Sequence, residues 1–139
     1  MKYIFEILDD VANAKTKEEK VKILQTNNCA ALRDIIRGSM DKTIVWYLPK
    51  GPVPYESASE RAPKNLRKEN VKFTYFVKGG KADNINQIKR ERIFLEIVEG
   101  IHPKDADHCV SMINKKTPKG LTRNIVNEAF PGLLRDNKK

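Results

Sequence analysis

The sequence predicts an all-α fold, a single compact multi-helix domain of about six to seven helices. Apolar residues recur three and four positions apart over most of the chain, which places them on one face of a helix. Residues typical of helix starts precede several of these stretches. A chain of 139 residues is long enough to form one domain with its own core. We expect this domain at 1–134, with a proline-rich loop at about 49–63 and a basic tail at 135–139.

The first forty residues predict three antiparallel helices joined by short connections. The first helix has its apolar face at Tyr3, Ile4, Ile7, Leu8 and Val11. The second opens with Thr16 and has Glu19 three positions later, the pattern of a capping box. The third is expected to be capped by Asn27 or Asn28 and to end near Gly38, with its apolar face at Ala31, Leu32, Ile35 and Ile36.

The middle of the chain is less regular. Thr43–Leu48 is apolar and contains the only tryptophan, Trp46, and we expect a short helical turn there. Prolines and glycine then break regular structure and predict a surface loop. For Tyr55 at its tip, anchoring the loop to the core is favoured over stacking on a base.

Residues 66–77 fit two predictions. Their alternating apolar and polar residues are typical of a strand, yet the same run also places apolar residues on one side of a helix. After it, Asn84 is expected to start a helix with apolar positions at Ile85, Ile88, Ile93, Leu95, Ile97 and Val98.

Two helices are predicted near the C-terminus. Pro103 suits the first turn of a helix that carries Ala106, Val110 and Ile113. Thr122 is expected to cap the last helix, which contains Ile125, Val126 and Ala129. Phe130 and the Pro131-Gly132 pair then end it.

The net charge of +9 is concentrated in two parts of the chain. Residues 41–82 hold nine basic and four acidic residues, and residues 102–139 hold eight and four. Such an excess attracts polyanions. The N-terminal segment does not resemble a signal peptide, and no apolar run is long enough to span a bilayer. With two cysteines far apart in sequence, Cys29 and Cys109, we expect a cytoplasmic protein with free thiols.

The sequence contains no pattern that predicts catalysis, and we expect neither an enzyme nor a cofactor. Asp105, His108 and Cys109 fall within one helical turn, but their spacing matches no tetrahedral zinc site. The KGGK segment at 78–81 could form a nest of backbone N–H groups for an anion. It lacks the frame of a nucleotide-binding loop, so a connection between elements is the favoured interpretation.

The start of the last helix is the strongest candidate for a binding site. Free N–H groups at a helix start suit phosphate, and glycine before it would allow close approach. The residues expected to contact a phosphate backbone there are Lys115, Lys116, Lys119, Gly120, Thr122, Arg123 and Asn124. On charge alone, the set also includes Lys64, Arg67 and Lys68.

Three stretches resemble the N-terminal, all-helical DNA-binding domain of T-even-phage ATP-dependent DNA ligases. They are ILDDVANAKTKEEKVKILQTN at 7–27, ALRDIIRGSMDKTIVWYLPKGPVP at 31–54 and GLTRNIVNEAFPGLL at 120–134. Residues 55–100 match poorly. The resemblance implies helix rather than strand at 66–77, and it places Gly120, Thr122 and Asn124 near DNA. No K-x-D-G adenylation motif is present, so the resemblance implies no ligase activity.

These observations predict a non-catalytic, largely sequence-independent double-stranded DNA-binding protein, with nicked or distorted duplex as an expected target. The alternative is a phage protein-interaction module that binds a replication, transcription or host protein. Trp46, Tyr47 and Tyr55 beside the proline-rich loop would suit such a partner. Convergence of lysines and arginines on one face favours DNA, whereas an exposed apolar patch near Trp46 favours a protein partner. No membrane association is expected.

Overall fold

The structure is a computed structural model that describes residues 2–49, 51, 53, 55, 56, 58 and 63–134. Within these residues it contains seven α-helices and no strand, so the predicted all-α fold is confirmed. The predicted basic tail at 135–139 and part of the proline-rich loop lie outside the described residues. The helices are α1 (Ile4–Asn13), α2 (Lys17–Thr26), α3 (Ala30–Met40), α4 (Leu66–Glu69), α5 (Gln87–Gly100), α6 (Pro103–Ile113) and α7 (Arg123–Ala129).

The first three helices form as their patterns predict, with one error at the start of α3. The capping box of α2 is confirmed, since Thr16 Oγ1 accepts from the Glu19 backbone N–H and Glu19 Oε1 accepts from that of Thr16. The N-cap position of α3 is occupied by Cys29 rather than by an asparagine, and its side chain makes no capping hydrogen bond. Asn27 instead donates to the carbonyl of Ile23 in α2. α3 also continues past Gly38 to Met40.

The helical turn expected at Thr43–Leu48 is wrong. The segment contains no helix, and Trp46 forms an isolated antiparallel bridge with Val77. Two backbone hydrogen bonds flank the bridge, from Tyr47 N to Phe76 O (2.6 Å) and from Lys78 N to Val45 O (2.9 Å). A short apolar run does not by itself distinguish helix from extended chain, and here a distant segment supplies the pairing.

Residues 66–77 are mainly helical, as the resemblance implied. α4 leads directly into a 3₁₀ segment at Asn70–Tyr75. Leu66, Phe73 and Phe76 are buried, while Val71 is 70% exposed. The apolar residues therefore do not all lie on one buried side, which explains why the sequence pattern was ambiguous.

The helix expected from Asn84 begins later. Asn84 ends a 3₁₀ segment at Lys81–Asn84, and the side chain of Asn86 caps α5 by accepting from Lys89 N (2.8 Å). Ile88, predicted among the apolar positions, is 73% exposed in the first turn of α5. In α6, Pro103 occupies the first turn as predicted, and His102 Nδ1 accepts from Lys104 N (3.1 Å).

Helices from both ends of the described chain contribute residues to one hydrophobic core. α1 packs against α2 and α6, α3 packs against α6, and α6 packs against α5. The last helix, α7, packs against α2 and buries Ile125, Val126 and Ala129. This packing fixes the start of α7 against the corner where α1 passes into α2.

Candidate nucleic-acid interface

The start of α7 has the predicted cap. Thr122 is extended, with φ −130°, and its Oγ1 accepts from the backbone N–H of Ile125 at 3.2 Å. Pro118 and Leu121 are buried, so the segment before the helix is held by packing. Lys116, Lys119, Thr122 and Asn124 are exposed around it, and Arg123 is partly buried. We call these five residues, together with Lys20, the α7 entrance.

Close packing against α1 requires a residue without a side chain at position 120. Its φ is +86°, and a Cβ at this position would lie 2.8 Å from Ala12 Cα at the end of α1. Its carbonyl accepts from Lys20 Nζ of α2 at 3.0 Å. The absence of a side chain therefore lets the chain before α7 approach α1, a role that the sequence interpretation did not foresee.

α2 contributes two lysines that the sequence interpretation missed. Lys20 reaches the Gly120 carbonyl, and Lys17 Nζ lies 3.1 Å from Glu128 Oε1 of α7. Gln25 Nε2 also donates to the carbonyl of Ala129 at 3.4 Å. No local pattern in α2 indicates that it will pack beside residues 100 positions later, so only the tertiary structure identifies these contacts.

Lys115 is partly buried, and its side chain contacts the end of α3 instead of extending into solvent like Lys116 and Lys119. Its Nζ donates to the carbonyls of Gly38 (2.9 Å) and Asp41 (2.7 Å), at the end of α3. Burial lowers the pKa of the Lys115 ammonium, and the nearby Asp41 carboxylate opposes that shift. Its backbone adopts φ +59°, a left-handed conformation for a residue with a side chain. These contacts give Lys115 a structural role at the end of α3.

The second predicted group lies at the other end of α1. Arg67 donates through Nε (3.0 Å) and a terminal guanidinium nitrogen (2.7 Å) to the carbonyl of Lys2. Lys64 donates its backbone N–H to Gly100 O at 2.9 Å, and its stem packs on Gly100. Lys68 is exposed. Because Arg67 contacts position 2 and Gly120 contacts position 12, Arg67 and Gly120 lie near opposite ends of α1, which is roughly 15 Å long.

The residues weighed as metal ligands are part of the core. Asp105 Oδ1 accepts from Phe5 N (2.8 Å), and burial raises the pKa of this carboxyl to about 6, with the Phe5 hydrogen bond opposing the shift. Burial, and secondarily Asp105, raises the pKa of the Cys109 thiol, while burial lowers that of His108. Among the described residues, no group of three or more His, Cys, Asp or Glu side chains is arranged to hold a metal ion.

The KGGK nest is occupied by the chain itself. Gly79 N donates to both oxygens of the Asp83 carboxylate at 3.1 Å, and Gly80 N donates to Val77 O at 3.0 Å. A carboxylate thus fills the position that an external anion would take. This agrees with the favoured interpretation of KGGK as a connection between elements.

The proline-rich loop is anchored at its described positions. Asn114 Oδ1 accepts from Gly51 N (2.6 Å), and Asn114 Nδ2 donates to Gly51 O (3.1 Å). Tyr55 packs against the core, and its hydroxyl lies 3.3 Å from Asp107 Oδ1, which fits the predicted anchoring role.

Residues 7–119 match a protein-family profile described as a family of unknown function, DUF6433. The match covers most of α1 and all of α2 through α6, and it stops just before Gly120, so α7 lies outside it. No curated protein sequence matches the chain. Of the helices in the described part of the chain, none has both the length and the apolar composition to cross a membrane.

Proposed function

Because the chain belongs to the DUF6433 family, whose function is unknown, we propose its function from geometry and charge: it is a non-catalytic protein that binds the phosphate backbone of double-stranded DNA. The observation that carries the proposal is the α7 entrance. It presents exposed Lys116 and Lys119 on a segment fixed by packing at Gly120. Cations held on a rigid surface suit backbone binding, which positions a protein without reading sequence.

The proposed contact set is narrower than the one drawn from sequence. Lys115 is left out because its ammonium binds two carbonyls inside the protein. Lys20 is added because its ammonium, at the α7 entrance, donates to the Gly120 carbonyl and has further N–H groups for a phosphate. Lys116, Lys119, Arg123 and Asn124 remain, with Thr122 acting chiefly through the helix cap.

The second group, Lys64, Arg67 and Lys68, extends the proposed interface along α1. The length of α1, roughly 15 Å, corresponds to between four and five base pairs of B-form DNA, at about 3.4 Å per pair. One duplex lying along α1 could therefore contact both groups. Exposed Glu6 and Asp9 on α1 oppose such contact, which predicts modest affinity. The resemblance to the ligase DNA-binding domain supports the same function, with nicked or distorted duplex as the preferred target. We propose the cytoplasm as the location.

The test is binding to nicked duplex, intact duplex and single strand of equal length, measured by fluorescence anisotropy over a salt series. We expect duplex binding whose logarithm falls linearly with the logarithm of salt concentration. The double variant Lys116→Gln/Lys119→Gln should reduce the steepness of that line by about 2, one for each lost phosphate contact.

The matched control is Lys89→Gln/Arg92→Gln, which removes the same charge from exposed positions of α5. It should weaken binding through long-range attraction only and leave the slope within about 0.5 of the parent. Equal effects from the two double variants would overturn the assignment of the α7 entrance. Absence of duplex binding at low salt would overturn the proposed function.

A further inference from the structure

A groove lies between the end of α3 and the 3₁₀ segment at Asn70–Tyr75, apart from the α7 entrance. The groove has a volume of about 530 Å³, and its lining residues include Arg37, Trp46, Asn70, Val71, Thr74 and Lys78. We call it the Trp46 groove. None of its lining residues belongs to the α7 entrance, so its occupancy is independent of the DNA-binding proposal.

Part of the rim of the groove is apolar. Val71 lines it and is 70% exposed, and Val45, next to the lining residues Ile44 and Trp46, is 45% exposed. Among the large apolar side chains in the described part of the chain, only these two and Ile88 are exposed. Val71 is thus an exposed apolar side chain on the wall of a concavity, a position that suits contact with an apolar partner.

Trp46 forms a fixed wall. Its indole N–H donates to Gly38 O at 3.0 Å, and its ring meets that of Phe73 edge-on at 6.1 Å between centroids. Gly38 leaves room for the ring, since a Cβ there would lie 2.5 Å from it. The groove wall is therefore set by the packing between α3 and the bridge segment.

The interior holds an acceptor and a donor with unmet hydrogen-bonding capacity. Asn70 is only 4% exposed, and its Nδ2 donates to Asp34 Oδ2 at 2.7 Å, while its Oδ1 has no hydrogen-bond partner among the described residues. Arg37 Nε lies 3.7 Å from Asp41 Oδ2 and likewise makes no hydrogen bond within the described part of the chain. A buried polar group without a partner is costly, so a ligand that supplies both a donor and an acceptor would be favoured. A peptide amide carries both.

The charge at the rim selects an anionic partner. Lys78 is exposed, whereas Arg37, whose side chain is about one-third exposed, is ion-paired with the buried Asp41 carboxylate, so Lys78 supplies the accessible charge. The one acidic lining residue, Asp34, has its carboxylate bound by the Asn70 amide, and burial raises its pKa against the opposing effects of Asn70, Arg33 and Arg37. The accessible charge therefore favours a carboxylate on the occupant.

We propose that the Trp46 groove binds a short extended segment of another protein, with an apolar side chain against Val71 and Trp46 and an acidic side chain beside Lys78. A shift of the wall side chains on binding would let its backbone amides reach Asn70 Oδ1 and Arg37 Nε, which are both buried in the free protein. The exposed aliphatic side chain of Val71 favours an aliphatic side chain on the occupant. Because the lining residues Trp46 and Phe73 are aromatic and would also suit a nucleobase, deoxynucleoside monophosphates serve as the competing probe. This role goes beyond DNA binding and does not depend on it.

The experiment uses two mixtures of blocked hexapeptides, each with Leu, Ile, Val or Phe at the third position. One mixture has Glu at the fifth position and the other has Lys. Binding is followed by the emission of Trp46, the only tryptophan, and by amide shifts in NMR spectra. We expect the Glu mixture to change both signals at concentrations up to about 5 mM, with the shifts confined to the groove.

Two variants and one control locate the site. Val71→Ser should weaken binding about tenfold, since it removes apolar contact at a position too exposed to affect folding. Lys78→Glu should reverse the preference between the two mixtures. The control Ile88→Ser removes an equally exposed apolar side chain from α5 and should change nothing.

Four results would overturn the proposal. They are no response to either mixture, equal responses to both, stronger responses to deoxynucleoside monophosphates than to the Glu mixture, and a concentration-dependent dimer that covers Val71. The last two would assign the groove to a nucleotide or to a second copy of the chain.

Discussion

The ammonium of Lys115 lies 2.7 Å from the carbonyl oxygen of Asp41 and 2.9 Å from that of Gly38. The Gly38 carbonyl also accepts from the indole of Trp46. One cationic side chain after α6 therefore satisfies carbonyls at the end of α3, where the helix dipole favours positive charge. The same contacts fix the position of the wall of the Trp46 groove.

Lys115→Gln should lower the free energy of unfolding by about 2 kcal/mol, because it removes charge-assisted hydrogen bonds to two carbonyls. Lys116→Gln, at the next and exposed position, should change it by less than about 0.5 kcal/mol. Urea denaturation of the two variants measures the difference. DNA binding should weaken more in Lys116→Gln than in Lys115→Gln. A Lys115→Gln variant with unchanged stability would contradict the structural role of Lys115.

Gly120→Ala should be strongly destabilising. A Cβ there combines a left-handed φ of +86° with a 2.8 Å approach to Ala12 Cα. Gly132→Ala is the matched control, since its φ is +83° and its Cβ would meet nothing within 4 Å. We expect the control to cost about 1 kcal/mol for the backbone alone and Gly120→Ala to cost a further 1–3 kcal/mol or so. Thermal or urea unfolding measures both, and equal costs would mean that α1 moves aside without penalty.

Asp105 should make stability fall as pH rises from about 4 to 6. Its pKa is raised from 3.8 to about 6 in the folded protein, so the folded state favours the protonated form. The stabilisation is complete below pH 3.8 and is lost as pH rises through about 6, with a total of at most about 3 kcal/mol. Urea denaturation over pH 4–8 measures it.

Two variants separate the charge of Asp105 from its hydrogen bond. Asp105→Asn keeps an oxygen for the Phe5 N–H and removes the charge, so it should be more stable than the parent at pH 8 and similar at pH 4. Asp105→Ala loses the acceptor and should be less stable than Asp105→Asn at every pH. A pH dependence that persists in Asp105→Asn would show that other groups cause it.

The two thiols should differ in reactivity. Cys109 is fully buried and burial raises the pKa of its thiol, whereas Cys29 is partly exposed. We expect one thiol per chain to react with an aromatic disulfide reagent in the native protein and two after denaturation. Native Cys29→Ser should not react. Rapid labelling of that variant would indicate local opening around α6.

The sequence predicted the helices best where a cap and a repeating apolar face coincide. Thr16 with Glu19 and Thr122 form the predicted caps. The wrong predictions concern residues whose structure depends on tertiary contacts. Trp46 pairs with Val77, 31 residues later in the chain. Ile88 continues an apolar pattern beyond the part of α5 that packs on the core. A periodic pattern gives the side of a helix that is apolar but does not give the length that its neighbours cover.

The candidate site was predictable only where the local sequence determines whether a residue is exposed. Exposed Lys116 and Lys119 follow from local sequence, since lysines near a turn are usually solvated. The separate roles of Lys115 and Gly120 depend on Gly38, Asp41 and Ala12, which are distant in sequence. The spacing of residues 115–120 carries no information about those partners.

The pairing of α7 with α2 has a consequence for biosynthesis. Lys17 meets Glu128, and Gln25 meets Ala129, across more than 100 residues. A nascent chain emerging from the ribosome therefore exposes the part of α2 that α7 covers until α7 has also emerged. During that interval the N-terminal helices depend on chaperones or on their own solubility, and a synthesis stall before position 123 would leave them open to aggregation.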